Sequence, residues 1–291
     1  MSVDISASHE VQLGRLPVRR ALPRRGRRTV GAWCFVDHMG PVDAEESDAL
    51  QIGPHPHIGL QTVTWLLEGE VLHTDSLGSE QLIRPGQLNL MTAGRGVAHA
   101  ESGRKGASGG HGMQLWIAQP SDTRDGPAAF EHHAELPAVE LGTAIATVLV
   151  GELDGSTSPA RHDTPLVGAD LALRPGVATV PLVDAWEHAI VVAEGAVEVD
   201  GSTVKPGQLA YLGTARNELA IRADDAARVL LIGGEPFAEQ VFMWWNFVAR
   251  TREEVDEARA DWESRGPRFA DVRSPLGRIR APGVPWAKPP A

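Results

Sequence analysis

Two short spacings bring metal-type ligands into pairs, His55-Pro56-His57 and His99-Ala100-Glu101. In a β-strand, side chains two residues apart share a face. Two such pairs meeting across a barrel interior present three imidazoles and one carboxylate to one point. That donor set suits a divalent transition metal. Three neutral imidazoles and one carboxylate leave a metal(II) centre with a net charge of about +1, and two octahedral positions stay open to exogenous ligands, as in non-haem iron oxygenases.

The surrounding sequence has the texture needed to hold such pairs on strands. Short apolar runs such as Thr62–Leu67, Gln87–Met91, Met113–Ile117 and Ile145–Val150 alternate with turn formers, and 31 glycines and 21 prolines supply the turns. This pattern predicts an all-β sandwich or barrel. An internal repeat doubles it. Glu68-Gly69-Glu70-Val71 followed by Pro85-Gly86-Gln87-Leu88 is matched by Glu194-Gly195-Ala196-Val197 followed by Pro206-Gly207-Gln208-Leu209. Aligning Gly69 with Gly195 puts Pro181 and Val183 on the positions of His55 and His57. Aligning Pro85 with Pro206 puts Ala220 and Arg222 on those of His99 and Glu101. A duplicated scaffold with ligands in one copy predicts a single metal site in the first of two tandem β-barrels.

The division that follows is a metal-bearing barrel over residues 1–135, a second barrel without ligands over 136–240, and a C-terminal helix and tail over 241–291. The helix is marked by Thr251 and Glu254 as a capping box, by Val255, Ala258 and Trp262 on one face, and by Gly266-Pro267 as the stop. The tail from Ser274 to Ala291, rich in Pro and Arg, is expected to lie on the surface without regular structure.

Composition narrows the partners. A net charge of −11, from 27 basic and 38 acidic residues, argues against nucleic acid. The seven arginines between Arg15 and Arg28 read as a solvated strand edge and turn rather than a nucleic-acid arm. Cys34 is the one cysteine, so no intrachain disulfide or thiolate cluster can form; it is expected to be buried and inert, in a reducing cytoplasm. No secretory signal is visible, and no run reaches the roughly 18 apolar residues of a membrane helix.

The other histidines and tryptophans carry expectations of their own. His111, two before Met113, is a candidate to line the ligand-bearing barrel, which would turn Gln114 and Trp116 the other way, Trp116 into the core. His38 follows Asp37 and reads as a pocket or turn residue. His73 is expected to be exposed on a hairpin. His132 and His133 are adjacent and therefore poor co-ligands, and His188 aligns with Thr62 rather than with a ligand. Trp244-Trp245 is expected to pack the C-terminal segment.

The longer motifs around the ligand pairs resemble those of the pirins, in the cupin superfamily. They are His55-Pro56-His57-Ile58-Gly59-Leu60-Gln61-Thr62-Val63-Thr64 and Met91-Thr92-Ala93-Gly94-Arg95-Gly96-Val97-Ala98-His99-Ala100-Glu101. Phe35–Pro41, Gly112–Trp116 and Gly234-Glu235-Pro236-Phe237 extend the match over nearly the whole chain. The resemblance implies a bicupin with one metal in the N-terminal barrel, held by His55, His57, His99 and Glu101. It implies Fe(II) first, with Mn, Co, Ni, Cu and Zn as alternatives, because affinity alone favours Cu or Zn.

For activity the resemblance implies a quercetin 2,3-dioxygenase-type enzyme, with a small aromatic substrate and O2 as partners and Glu101 as both ligand and general base. The alternative it implies is a non-catalytic regulator whose metal state governs a protein partner; a metal-stabilised stress protein is a third reading. No membrane partner is expected. Two departures bear on the site: Gln61 stands where many pirins have Glu, and Ile58 where a basic residue is common. Both are expected to change the metal surroundings.

Overall fold

The computed structural model describes residues 3–13 and 15–286. It is all-β apart from the helix Arg252–Glu263 and one turn of 3-10 helix at Ala44–Glu46. Each half of the chain forms a two-sheet sandwich rather than a closed barrel. In the first, a seven-stranded sheet (in spatial order Ala129–His133, Leu88–Thr92, Leu60–Glu68, Gly110–Ala118, Trp33–Val42, Leu16–Leu22, His9–Leu13) faces a four-stranded one (Gln51–His57, Val97–Gly103, Val71–Asp75, Glu80–Ile83).

The second sandwich repeats this order. Its four-stranded sheet runs Gly176–Pro181, Glu218–Ala223, Val197–Val199, Ser202–Val204. Its large sheet is edged by Asp4–Ala7, which pairs antiparallel with Gln208–Gly213. That strand does for the second sandwich what Ala129–His133 does for the first, so Asp4–Ala7 belongs to the second sandwich although it lies at the start of the chain.

The repeated Pro-Gly turns are conformationally alike. Gly86 and Gly207 both hold φ +81°, a left-handed conformation that glycine adopts without a Cβ clash.

The two large sheets pack on one another through a core that mixes residues of both halves, among them Trp33, Trp65, Leu115, Val191, Leu230 and Ile232. Both faces of the first large sheet are therefore buried, one against its own small sheet and one against the second sandwich. Trp33 is fully buried at this seam. Its Nε1 donates to the carbonyls of Val167 (3.0 Å) and Gly233 (3.2 Å). Trp65 Nε1 donates to Asp170 Oδ2 at 3.0 Å, and Arg228 pairs with the same carboxylate.

The helix begins where expected. Thr251 caps it by accepting from the Glu254 amide at 3.2 Å. Only half of the capping box forms, because the Glu254 carboxylate accepts from the Arg250 amide and pairs with Arg124. Val255, Ala258 and Trp262 face inward as the spacing predicts. In the tail, residues 274–286 carry no helix or strand, and 287–291 lie outside the described residues. This segment is held to the first sandwich, with the Ile279 amide donating to the Pro54 carbonyl at 2.9 Å. No helix among the described residues is long and apolar enough to cross a membrane.

Candidate metal centre

The small sheet of the first sandwich positions the ligand pairs. Strand Val97–Gly103 lies between Gln51–His57 and Val71–Asp75. His99 is directly opposite His55 on one side and Asp75 on the other, and Glu101 is opposite His73. The register shifts between His99 and Glu101, where Gln51–His57 bulges around Gly53 and Pro54; a bulge re-aims neighbouring side chains.

His55, His57 and His99 bring one ring nitrogen each within 4.8 Å of one another, all buried. Glu101 lies instead with His73 and His99 in an adjoining cluster of the same tightness, so His99 belongs to both. Thr64 Oγ1 donates to Glu101 Oε1 at 3.4 Å and to Gln114 Oε1 at 3.0 Å, one hydrogen serving two acceptors.

The donor set fits a metal. His55 Nδ1 donates to the Gly53 carbonyl at 2.9 Å and His57 Nδ1 to the Asn246 carbonyl at 3.1 Å. A carbonyl only accepts, so both rings carry their proton on Nδ1 and offer the Nε2 lone pair. His57 Nε2 and His99 Nε2 are 3.0 Å apart. Burial pushes the His55 imidazolium down to about 4 and those of His57 and His99 well below the ordinary range. Neutral, convergent imidazoles of this kind are what a divalent transition metal requires. Burial raises the Glu101 carboxyl, with His73 and Thr64 pulling the other way.

The cluster sits in a cavity of about 540 Å³ that also carries Phe35, Trp116, Trp244 and Trp245. Phe35 and Trp116 stack at 3.9 Å and 12°, and Trp116 meets His57 edge-on at 5.2 Å. Arg20 lies 4.4 Å over Phe35 and makes a two-pronged pair with Asp37, both N···O distances 2.8 Å.

Several expectations are corrected here. His73 is not exposed but buried, stacked on Phe130 at 4.5 Å and 3.3 Å from His99 Nδ1. Its His-x-Asp spacing with Asp75 carries the same two-residue signal as the ligand pairs and was legible as such. Gln114 and Trp116 face the cavity, while His111 lies on the opposite face with Met113. The apolar side of that strand packs against the second sandwich, so hydrophobicity does not mark the barrel interior. His111 instead pairs with His38, Nε2 to Nε2 at 2.7 Å, and with Glu194 of the second sandwich at 3.2 Å. Trp244 and Trp245 wall the cavity as well as pack against each other and Phe247.

Gln61 and Ile58 do not reach the cavity. Gln61 donates to Thr92 Oγ1 and to the Arg161 carbonyl, and Ile58 packs with Phe247 and Trp262. The expected effect of these departures on the metal surroundings therefore has no contact to act through.

In the second sandwich, Ala220 and Arg222 point outward. The inward residues of the matching strand pair are Ala178, Val180, Leu219 and Ile221, all core. The turn-based alignment is off by one residue there, and one residue flips a strand's faces. The interior that holds the histidine cluster in the first sandwich is filled with aliphatic side chains in the second.

The remaining histidines stay apart from this cluster. His132 pairs with Asn89 and His133 with Glu131. His188 is buried in the second sandwich. Cys34 is fully buried, and burial pushes its thiol up to about 12, as inertness requires. Of the early arginines, Arg15 pairs with Asp48, Arg20 with Asp37 and Arg27 with Asp4.

Burial lowers His38 to about 3 and His188 to about 4. The unfolded chain takes up these protons first as pH falls, so stability is undiminished above about pH 6.5 and drops below it. Each group contributes a slope of about 1.4 kcal/mol per pH unit between its unfolded and folded values. Urea midpoints of the metal-free protein at pH 7 and pH 5 should differ accordingly, and His188→Gln should shallow the decline. Equal slopes would refute the assignment.

Comparison with known proteins matches residues 15–117 to the family described as Pirin and residues 168–269 to the Pirin C-terminal cupin domain. A Pseudomonas aeruginosa protein provisionally named a quercetin 2,3-dioxygenase is 46% identical over 94% of this chain and 87% of its own length. A pirin-like protein of Caulobacter vibrioides is 37% identical over 89% of this chain and 92% of its own. The crystal structure of a quercetin 2,3-dioxygenase from Acinetobacter baumannii superposes with a TM-score of 0.95 at 43% identity, covering 99% of this chain and 97% of that one.

Proposed function

The chain belongs to the pirin family, and from that premise we propose that it is a metal-dependent dioxygenase that uses Fe(II) and O2 to open the ring of a flavonol-like aromatic. The observation that carries this reading is the convergence of three imidazole lone pairs in a 540 Å³ cavity walled by Phe35, Trp116, Trp244 and Trp245. The names of its relatives support the same substrate class.

His55, His57 and His99 would hold the metal, and Glu101, which lines the same cavity and clusters with His99, would complete the set as a fourth ligand. When bound, the metal supplies Lewis acidity and a template that orients substrate and O2. The other roles fall to side chains in view. The aromatic walls hold a planar ring system by stacking and edge contacts. The indoles of Trp244 and Trp245 help exclude water. Glu101, buried with a raised carboxyl, is placed to take the proton that a flavonol hydroxyl must lose, and Thr64 steadies the carboxylate.

The direct test loads the metal-free protein with Fe(II), adds quercetin under air, and follows loss of flavonol absorbance together with CO release. Absence of turnover with Fe, Mn, Co, Ni and Cu would sink the flavonol reading. Glu101→Gln is expected to lower turnover by about 100-fold or more, the usual size of a lost general base. Full turnover with full metal content in that variant would remove Glu101 from the chemistry.

A further inference from the structure

His73 and Asp75 lie outside the proposed ligand set yet are buried directly behind it. Asp75 Oδ1 accepts from the backbone amides of Leu77 and Ser79, both at 2.9 Å. Its Oδ2 is 3.2 Å from His73 Nε2. His73 Nδ1 is 3.3 Å from His99 Nδ1. Burial by itself would raise the Asp75 carboxyl, but the bonds from His73 and Ser79 hold it below the ordinary range, so it is an acceptor at both oxygens.

From this geometry we propose that Asp75 and His73 are positioning residues that set the tautomer of His99 and so turn its Nε2 lone pair toward the metal. The carboxylate can only accept, so His73 carries its proton on Nε2. With its one proton on Nε2, the His73 ring presents a lone pair at Nδ1 and accepts from His99 Nδ1–H. His99 is left with a bare Nε2, 3.0 Å from His57 Nε2. The reverse arrangement would aim a His73 lone pair at the Asp75 carboxylate. It would also put a proton between His99 and His57, where a cation must sit.

The three ligands are thus oriented by three different acceptors: the Gly53 carbonyl for His55, the Asn246 carbonyl for His57, and the Asp75–His73 pair for His99. Only the last depends on side chains, so only the last can be rewired by substitution. The inference rests on the proposed metal site.

Two substitutions test it. In Asp75→Asn the side-chain oxygen stays pinned by the Leu77 and Ser79 amides, so the NH2 group faces His73 Nε2. That reverses the relay and places a proton on His99 Nε2 without changing side-chain shape. His73→Phe keeps an aromatic ring on Phe130 but offers His99 no acceptor. Zinc affinity, measured by competition with a chromophoric chelator, is expected to fall 10- to 100-fold in each, the usual cost of losing the partner behind a ligand. Ring 15N shifts of His99 in the metal-free proteins read the tautomer directly. Wild type should be protonated at Nδ1 and Asp75→Asn at Nε2, with far-UV spectra unchanged.

Wild-type affinity in both variants would overturn the proposal, as would weakened binding with the His99 tautomer unmoved. Failure of the wild-type chain to bind zinc, iron or any other divalent metal would overturn the metal reading itself.

Discussion

His57→Ala is expected to reduce bound metal from one equivalent to a trace in protein purified and analysed by elemental mass spectrometry. His57 contributes one of three convergent lone pairs, and its ring touches His99 and Trp116 within the same cavity. Truncation removes a ligand and opens a void beside the remaining two. The loss also has a thermodynamic signature. A metal that binds only the folded state stabilises it by about 2.7 kcal/mol when free metal is at 100 times Kd. Added metal should therefore raise the Tm of the wild type and leave that of His57→Ala unmoved. His9→Ala, at an exposed strand position, is the control and should bind and respond like the wild type. One full equivalent of metal in His57→Ala would remove this residue from the site.

Trp33→Ala is expected to cost about 3–5 kcal/mol, the range for deleting a buried large aromatic. The indole fills the seam between the two sandwiches and donates to two carbonyls of the second one. Its ring edge lies so close to Gly168 that a Cβ there would come within 2.6 Å of Trp33 Cζ2. The shape is matched to one side chain, so Trp33→Phe should also destabilise, by less, while leaving the carbonyls without the indole donor. Urea unfolding monitored by far-UV circular dichroism measures the effect. Because the seam also buries Trp65, Leu115 and Leu230, the two halves should unfold together in the wild type. A loss below about 1 kcal/mol in Trp33→Ala would mean that the halves are joined elsewhere.

Much of this molecule is legible in its sequence, and the legible part follows from local rules. Strand alternation alone pairs His55 with His57 and His99 with Glu101. Pro-Gly and Gly turns exposed the duplication, and capping chemistry placed the start of the helix at Thr251. Each is a property of residues a few positions apart, set by backbone geometry that does not depend on the rest of the chain.

What the tertiary structure decided is which face is which. The strand carrying His111, Gln114 and Trp116 is buried on both sides, so its pattern could not say which side faces the ligands. A one-residue offset between the repeats reversed inward and outward for Ala220 and Arg222. Glu101 lines the same cavity as the three imidazoles but clusters with His73 and His99, beside the bulge at Gly53 and Pro54. His73 looked like a hairpin histidine because its partners, His99 and Phe130, come from strands far along the chain. Spacing determines which side chains share a face of one strand; sheet pairing and the contact between the two sandwiches determine what that face meets.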